Sequence, residues 1–315
     1  MTNIFSYLMT HCIALHSYKG GTGKTTIAAN IAAILAKSGK KVALLDLDIY
    51  APSLHTYFKI TPDKWINDFL DNNADLDETI LDLTDSLRNG ESSLGRLYTG
   101  FSNPNREAIF KFEISNGTEY WKKQFRKLVF LREQMITKLD VDYIILDTSP
   151  GIRHWSINAL SIADKLILTM KMDDLDIEGT RKLLHEIYTT FVKFGAISYI
   201  LLNRVSGYCV PMPLITRIGE KAAATESEHA QIEQRLGNPN IIGGHSHHQS
   251  TDIQNPKKVL SDLQEVKGVG YLTPLPCYCD IQFSPREFLT AINNPGHLFS
   301  QNIQVIIDEI TRNDE

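Results

Sequence analysis

Short apolar runs recur along the chain, and most are continuous rather than alternating between apolar and polar residues. Such runs indicate strands that are buried on both faces of a sheet. Stretches with helical spacing lie between them. The predicted strands cover residues 12–16, 42–45, 143–146, 165–169 and 197–202. The predicted helices cover residues 24–37, 122–139, 179–194, 255–265 and 302–311.

Alternation of strands and helices predicts an α/β fold, a mainly parallel sheet with helices on both faces. We expect residues 1–315 to form a single nucleotide-binding domain, because the motifs described below are spread over nearly its whole length. Residues 61–88 are acidic and predict a solvated helix with turns. Residues 222–252 are polar and indicate a surface excursion, and residues 1–10 form an N-terminal extension or cover an apolar surface.

A glycine-rich loop follows the first predicted strand and precedes a helix, which is the context of a P-loop. Its backbone N–H groups surround phosphate oxygens, and the helix N-terminus adds partial positive charge. Lys24 reaches the β- and γ-phosphates, and the Thr25 hydroxyl is offered to Mg²⁺. The other predicted nucleotide-binding residues of the loop are Gly20, Gly21, Thr22, Gly23 and Thr26.

Carboxylates follow two further strands. Asp46 and Asp48 end the second, and Asp147 ends a third, directly before a Ser-Pro-Gly turn. The carboxyl ends of parallel strands face the crevice in which such sheets bind ligands. Phosphoryl transfer to water needs carboxylates that hold hydrated Mg²⁺ and a group that orients the water. The Asp147 segment is Walker B-like, and it predicts that Asp147 binds Mg²⁺ through a water molecule.

The sequence K-G-G-T-G-K-T-T, residues 19–26, resembles the deviant Walker A motif of the MinD/ParA family, with Tyr18 at the position of the general first glycine. The resemblance implies a Mg²⁺-dependent ATPase that dimerises face to face on ATP, with Lys19 reaching the partner's phosphates. It also implies that Asp48 positions the attacking water and that Asp46 supports the metal shell. Hydrolysis is expected to be slow unless a partner stimulates it. The Asp46 and Asp147 segments are more similar to MinD and Mrp-type members than to plasmid ParA.

The base is expected to be adenine. The guanine-reading pattern N-K-x-D does not occur after the Asp147 strand, and its nearest match lies before that strand. Residues that resemble the family's adenine-contacting elements follow a later strand and a still later turn. These are Asn203, Arg204, Pro276 and Asp280.

Composition and charge limit the classes of partner that we expect for this protein. The net charge is −5, with 22% charged and 43% hydrophobic residues, so a strongly basic nucleic-acid binder is disfavoured. Five basic residues between 122 and 132 leave DNA binding open. The acidic C-terminal helix argues against membrane attachment, and four cysteines fit a reducing cytoplasm. We expect a homodimer with an activating or cargo protein.

Two alternatives stay open beside a positioning or partitioning role. One is an Mrp-type iron–sulfur cluster carrier, for which the chain offers Cys209 and the pair Cys277 and Cys279. The other is a DNA-associated, ParA-like ATPase. A histidine group at positions 245, 247 and 248 is interpreted as a solvated loop rather than a metal site.

Overall fold

The computed structural model describes nine strands that form the centre of the protein. The described residues are 10–87, 95–115, 117–193, 195–205, 263, 268–278, 281 and 289–312. The strands within them are β1 His11–His16, β2 Lys41–Leu47, β3 Ile80–Asp82, β4 Arg96–Gly100, β5 Tyr143–Thr148, β6 Lys165–Met170, β7 Ile197–Val205, β8 Val269–Tyr271 and β9 Leu275–Pro276. Their order is β3-β4-β2-β5-β1-β6-β7-β8, and β9 also pairs with β7.

Every strand pair is parallel except β3 with β4. The helices are α1 Lys24–Lys37, α2 Leu54–Phe58, α3 Ile66–Leu70, α4 Leu76–Thr79, α5 Arg106–Ile114, α6 Thr118–Leu139, α7 His154–Leu160, α8 Asp174–Leu183, α9 Thr189–Lys193, α10 Thr290–Asn293 and α11 Leu298–Thr311. A 3₁₀ turn covers Thr84–Leu87, and a π-helical turn covers Leu184–Tyr188. The predicted α/β fold is therefore confirmed.

Alternate residues of each central strand enter two separate apolar cores, one on each face of the sheet. In β1, Cys12 and Ala14 belong to one core, whereas Ile13 and Leu15 belong to the other. This is why the strands read as continuous apolar runs. Helices α6, α7 and α8 cover the Cys12 face, and α1 and α11 cover the opposite face.

Two predicted elements need correction. The acidic segment 61–88 is not a solvated helix: it contains α3, α4 and the edge strand β3, and Ile66, Leu70 and Leu76 are buried. Its apolar residues escaped notice among the acidic ones because each element is only three to five residues long. The helix predicted at 179–194 begins earlier, since the Asp173 side chain caps it by accepting a hydrogen bond from Asp176 N. The helix predicted at 255–265 and the excursion 222–252 lie outside the described residues.

The C-terminal helix α11 is fixed to the sheet by its apolar face and by polar contacts. Ile303, Ile306 and Ile310 are fully buried on the α1 side. Lys165 Nζ at the start of β6 donates to Ile310 O at 2.6 Å. None of the helices in the described part of the chain has the length and apolar character that crossing a bilayer requires.

We predict that Ile303→Ala lowers the free energy of unfolding by about 2–5 kcal/mol, because it leaves a cavity where α11 meets the sheet. Val305→Ala is the matched control on the same helix, since Val305 is 40% exposed. Its expected effect is within about 0.5 kcal/mol. Urea denaturation of both variants measures the difference, and equal losses would contradict this packing of α11.

Candidate functional site

The loop 17–23 joins β1 to α1 and has the shape of a phosphate-binding loop. Gly21 and Gly23 have φ angles of 75° and 91°. A Cβ atom on Gly23 would lie 2.4 Å from Asn203 Nδ2. Glycine is therefore required at position 23 by both its backbone angle and the close approach of β7.

Internal hydrogen bonds hold this loop in place. Lys24 Nζ donates to Ser17 Oγ at 2.9 Å, and Ser17 Oγ donates to Lys19 O at 2.6 Å. The Thr22 hydroxyl lies 2.9 Å from that of Thr169 at the end of β6. The loop is thus anchored to the sheet without using its exposed glycines, Gly20 and Gly21, which stay open to a ligand.

Lys24 is buried at the start of α1, with 5% of its surface exposed. Burial lowers the pKa of its ammonium, and the nearby carboxylates of Asp147, Asp48 and Asp176 act in the opposite direction. A buried cation beside a helix N-terminus is a strong attractor for phosphate. Thr25 and Thr26 follow it in the first turn, both half-buried.

Asp147 has an unusual environment at the end of β5. Strand pairing aligns it with Leu15 of β1 on one side and with Asp46 of β2 on the other. Asp147 is fully buried, and neither carboxylate oxygen makes a hydrogen bond of normal geometry within the described residues. Burial raises the pKa of Asp147 to about 7, while the Thr25 hydroxyl and the Lys24 ammonium lower it. Such a carboxylate is costly unless a cation joins it.

These donors fit Mg²⁺. Two carboxylate oxygens without partners and a neighbouring threonine hydroxyl are hard oxygen ligands, which this cation prefers. The residues that would hold the cation are Asp147 and Thr25, and their role as Mg²⁺ ligands stays a prediction.

Asp46 is committed to backbone contacts. Its Oδ1 accepts from Asp48 N at 3.1 Å, and its Oδ2 accepts from the N–H groups of Ser53 and Leu54 at 3.2 Å each. The pKa of Asp46 is well above its usual value because of burial and the charges of Asp147 and Asp48. The side chain therefore shapes the loop after β2, and its role in a metal shell stays a prediction.

Asp48 lies at the start of that loop, half-buried, and its Oδ1 accepts from Ala51 N at 3.2 Å. The loop is joined to the turn after β5 through Leu47. Trp155 Nε1 donates to Leu47 O at 2.8 Å, and Ser149 Oγ donates to the same oxygen at 3.3 Å. The two segments that carry Asp48 and Asp147 are thus directly connected.

Lys19 lies at the outer side of the site. Its Nζ is 3.5 Å from Asp173 Oδ1, and its side chain is 34% exposed. Lys171 Nζ lies 3.8 Å from Asp173 Oδ2. The action of Lys19 on a partner's phosphates stays a prediction.

The predicted adenine-contacting residues are only partly described. Asn203 is buried beside the loop: its Nδ2 donates to Thr22 O at 2.7 Å, and its Oδ1 accepts from Arg204 N at 2.9 Å. Its amide therefore supports the loop in this structure. Pro276 of β9 pairs with Val205 of β7, and Asp280 lies outside the described residues.

Several site residues escaped the sequence analysis. His16 Nδ1 is 2.9 Å from Thr148 Oγ1, whose hydrogen is given to Leu15 O, so Nδ1 is the donor. Burial and Lys24 lower the pKa of His16 to about 3, which keeps it neutral. Asp176 is buried and accepts from Lys171 N at 2.7 Å. Its position in the acidic run after β6 was the only signal for it.

Tyr18 also has a specific place. A Cβ atom on Gly179 would lie 1.9 Å from the Tyr18 ring, so this ring packs directly on the backbone of α8. In addition, Gly151 N donates to Ser17 O at 2.9 Å. The front of the loop therefore contacts both α8 and the turn after β5, which no short motif could predict.

The surroundings of the cysteines bear on the proposed alternative of an iron–sulfur cluster carrier. Cys12 is buried, and burial raises the pKa of its thiol to about 12. Cys277 is half-buried, and its backbone N–H donates to Val205 O. The described residues contain no group of three or more metal-ligating side chains. Cys209, Cys279 and the histidines at 229, 245, 247 and 248 lie outside the described residues.

Three of the five basic residues between 122 and 132 in α6 have contacts of their own, and Lys123 and Arg126 are exposed. Arg132 donates to both carboxylate oxygens of Asp164, and Lys122 pairs with Glu119 at 2.9 Å. Lys127 Nζ lies over the Phe69 ring, 5.3 Å from its centre. Charges used in this way contribute less to a DNA-binding surface.

Comparison with known proteins agrees with this geometry. Residues 10–194 match the family described as AAA domain. An uncharacterized ATP-binding protein of Methanocaldococcus jannaschii is 30% identical over 251 residues, covering 75% of this chain and 81% of the relative. The sporulation initiation inhibitor protein Soj of Bacillus subtilis is 28% identical, covering 57% of this chain and 65% of Soj.

A cytosolic Fe-S cluster assembly factor NUBP2 homolog of Culex quinquefasciatus is 26% identical, covering 64% of this chain and 71% of the relative. Among solved structures, the septum site-determining protein MinD of Pyrococcus horikoshii, complexed with Mg-ADP, has the same fold. Its TM-score is 0.64 at 19% identity, and the match covers 96% of each chain. The chain therefore belongs to the MinD/ParA family of P-loop ATPases.

Proposed function

We propose that this protein is a Mg²⁺-dependent ATPase that acts as a switch. It binds ATP, dimerises with a second copy, and returns to the monomer after hydrolysis. The observation that carries the proposal is that the carboxyl ends of β1, β5 and β2 lie side by side at the phosphate-binding loop. Asp147, whose oxygens make no hydrogen bond of normal geometry within the described residues, lies beside the buried ammonium of Lys24 and the loop that begins at Asp48.

Each residue has one part in this reaction. The N–H groups of the loop 17–23 and the Lys24 ammonium hold the phosphates of ATP. Asp48 orients the attacking water, and Thr25 and Asp147 hold Mg²⁺. The cation, when bound, neutralises charge on the β- and γ-phosphates. We propose that Lys19 serves the partner's site and that Asn203, Arg204, Pro276 and Asp280 lie near adenine.

The switch is proposed to regulate or position a partner protein. Hydrolysis changes the contacts of Asp48 and Asp147, and their segments share the Leu47 carbonyl. A change at the nucleotide is therefore passed to the surface formed by both segments. Relatives named for septum placement and sporulation support a positioning or partitioning task. We further propose that the chain is one nucleotide-binding domain and works in the cytoplasm.

We predict that Asp48→Ala lowers the rate of phosphate release by about 10²-fold while ATP binding persists, since the residue acts on water and not on the phosphates. Glu133→Ala, at an exposed position of α6, is the control and should match wild type. Phosphate release and binding of a fluorescent ATP analogue are measured in parallel. Unchanged turnover in Asp48→Ala would remove the proposed role.

We predict that Asp147→Asn stabilises the nucleotide-free protein near pH 8 although it abolishes turnover. The pKa of Asp147 is raised in the folded state, so its contribution to stability is complete below about pH 4 and is lost as the pH rises through about 7. The amide carries no charge to bury. The thermal midpoint should therefore exceed that of wild type near pH 8, by roughly 2–4 °C per kcal/mol, and the difference should vanish near pH 4. A variant less stable than wild type at both pH values would contradict the assignment.

We predict that Asp48→Ala forms a stable dimer with ATP and that adding Lys19→Ala abolishes it. Lys171→Ala is the matched control, because Lys171 also lies near Asp173 but directly follows β6 and is not part of the loop. Light scattering with ATP and with ADP measures the mass. Dimers that survive Lys19→Ala, or that are lost equally with Lys171→Ala, would argue against action in trans.

A second candidate function is iron–sulfur cluster carriage, favoured by the similarity to the NUBP2 homolog. Bridging clusters need thiolates from both subunits, and Cys277 is the one described cysteine with partial exposure. Anaerobic reconstitution followed by iron analysis tests this function. Bound iron that is lost in Cys277→Ser and Cys209→Ser would support it, whereas absence of bound iron would exclude it.

A further inference from the structure

A groove lies beside the nucleotide site, between the loop after β2 and the turn after β5. Its volume is about 610 Å³, and it opens to solvent along its length. A second hollow of about 400 Å³ continues it along the start of α6, and both are lined by Trp121 and His154. We name the two together the Trp121 groove. Its main lining residues are Tyr50, Phe112, Glu113, Trp121, Arg153 and His154.

The walls of the Trp121 groove are mainly aromatic and include the guanidinium of Arg153. The Arg153 guanidinium lies over the Tyr50 ring, 4.1 Å from its centre, and Trp121 stacks on His154 with ring centres 5.5 Å apart. Asn158 Nδ2 donates to Trp121 O at 3.0 Å, which fixes the backbone there. Trp, Tyr and Arg are the residue types that contribute most to protein–protein binding.

The charges favour an acidic occupant. Arg153 is exposed and makes no ion pair with any described residue, whereas Lys122, at the second hollow, pairs with Glu119. The N-terminus of the 22-residue helix α6 also faces this hollow through Gly117 and Thr118. The carboxylate of Glu113 also lines the groove. A peptide satisfies both signs, with a carboxylate for Arg153 and an N–H group for Glu113, whereas a continuous phosphate backbone is repelled by Glu113.

The shape favours a polypeptide over a small molecule. Small-molecule sites enclose most of their ligand, but this groove is an open trough. Its apolar floor, formed by Phe112, Trp121 and Phe125, accommodates a leucine or an aromatic side chain.

The Trp121 groove is also connected to the proposed water-positioning residue. Tyr50 follows Asp48 by two positions, and Arg153 lies between Asp147 and Trp155 in sequence. Trp155 Nε1 in turn donates to Leu47 O, next to Asp48. A ligand that displaces Arg153 from Tyr50 therefore acts on both segments that respond to the nucleotide.

We infer that the Trp121 groove is the docking site for a partner protein that presents an acidic segment containing an aromatic or leucine side chain. The sensitivity of this docking to the nucleotide rests on the proposed function. The docking itself does not, since the residues that line the groove are distinct from those assigned to the nucleotide site.

The test is selection of short random peptides displayed on phage against the full-length protein, followed by comparison with Arg153→Glu. Arg153 is exposed, so this variant is expected to fold. Selected peptides are synthesised, labelled, and titrated by fluorescence anisotropy against wild type, Arg153→Glu, Trp121→Ala and Lys138→Glu. Lys138→Glu is the matched control, since Lys138 is an exposed basic residue of α6 about 26 Å from Trp121 along the helix axis. Binding of oligothymidine and of the ATP analogue is measured with the same samples.

The expected peptides carry Asp or Glu near an aromatic residue or leucine. Arg153→Glu and Trp121→Ala should weaken their binding by about tenfold or more, while Lys138→Glu changes it by less than about twofold. The inference is overturned if no peptide depends on Arg153, if the selected peptides are basic, or if oligothymidine rather than peptide loses affinity in Arg153→Glu. Peptide binding that persists in a protein unable to bind ATP would reject the proposed function and retain the docking site.

Discussion

The register of three parallel strands is the constraint on which the site depends. Pairing of β1 with β5 and of β5 with β2 places Leu15, Asp147 and Asp46 in one row at the carboxyl edge of the sheet. The phosphate loop begins two residues beyond Leu15, so the row brings Lys24 close to the carboxylates. A shift of one residue in β5 would turn Asp147 to the other face of the sheet and separate it from Lys24.

The two carboxylates of this row, Asp46 and Asp147, have different roles because their hydrogen bonds differ. Asp46 receives three backbone N–H groups and builds the loop that presents Asp48. Among the described residues no backbone N–H group donates to Asp147, and burial raises its pKa although the Thr25 hydroxyl and the Lys24 ammonium lower it. The Asp147 carboxylate lies where a nucleotide-bound cation would be needed. This supports the view that the protein gives up stability at this position for function.

Much of the fold and the core of the site could be predicted from the sequence, because local patterns encode them. Continuous apolar runs predicted the central strands, and the glycine spacing predicted the phosphate-binding loop, in which position 23 sterically requires glycine. Contacts between distant segments could not be predicted. The packing of Tyr18 on Gly179 and the bond of Trp155 to Leu47 depend on the tertiary arrangement, and so does the support that Asn203 gives to Thr22. The short strand β3 was missed for another reason, since three residues show too little periodicity.

We propose that Asp147 helps to hold Mg²⁺ when ATP binds and that its carboxyl group loses its proton as the cation binds. Calorimetric titration with Mg²⁺ and ATP near pH 7, in buffers of different ionisation enthalpy, counts the protons released. The account predicts about half a proton more from wild type than from Asp147→Asn, because a group with a pKa of about 7 is half protonated at that pH. The excess should disappear near pH 9. Equal proton release from the two proteins near pH 7 would contradict the account.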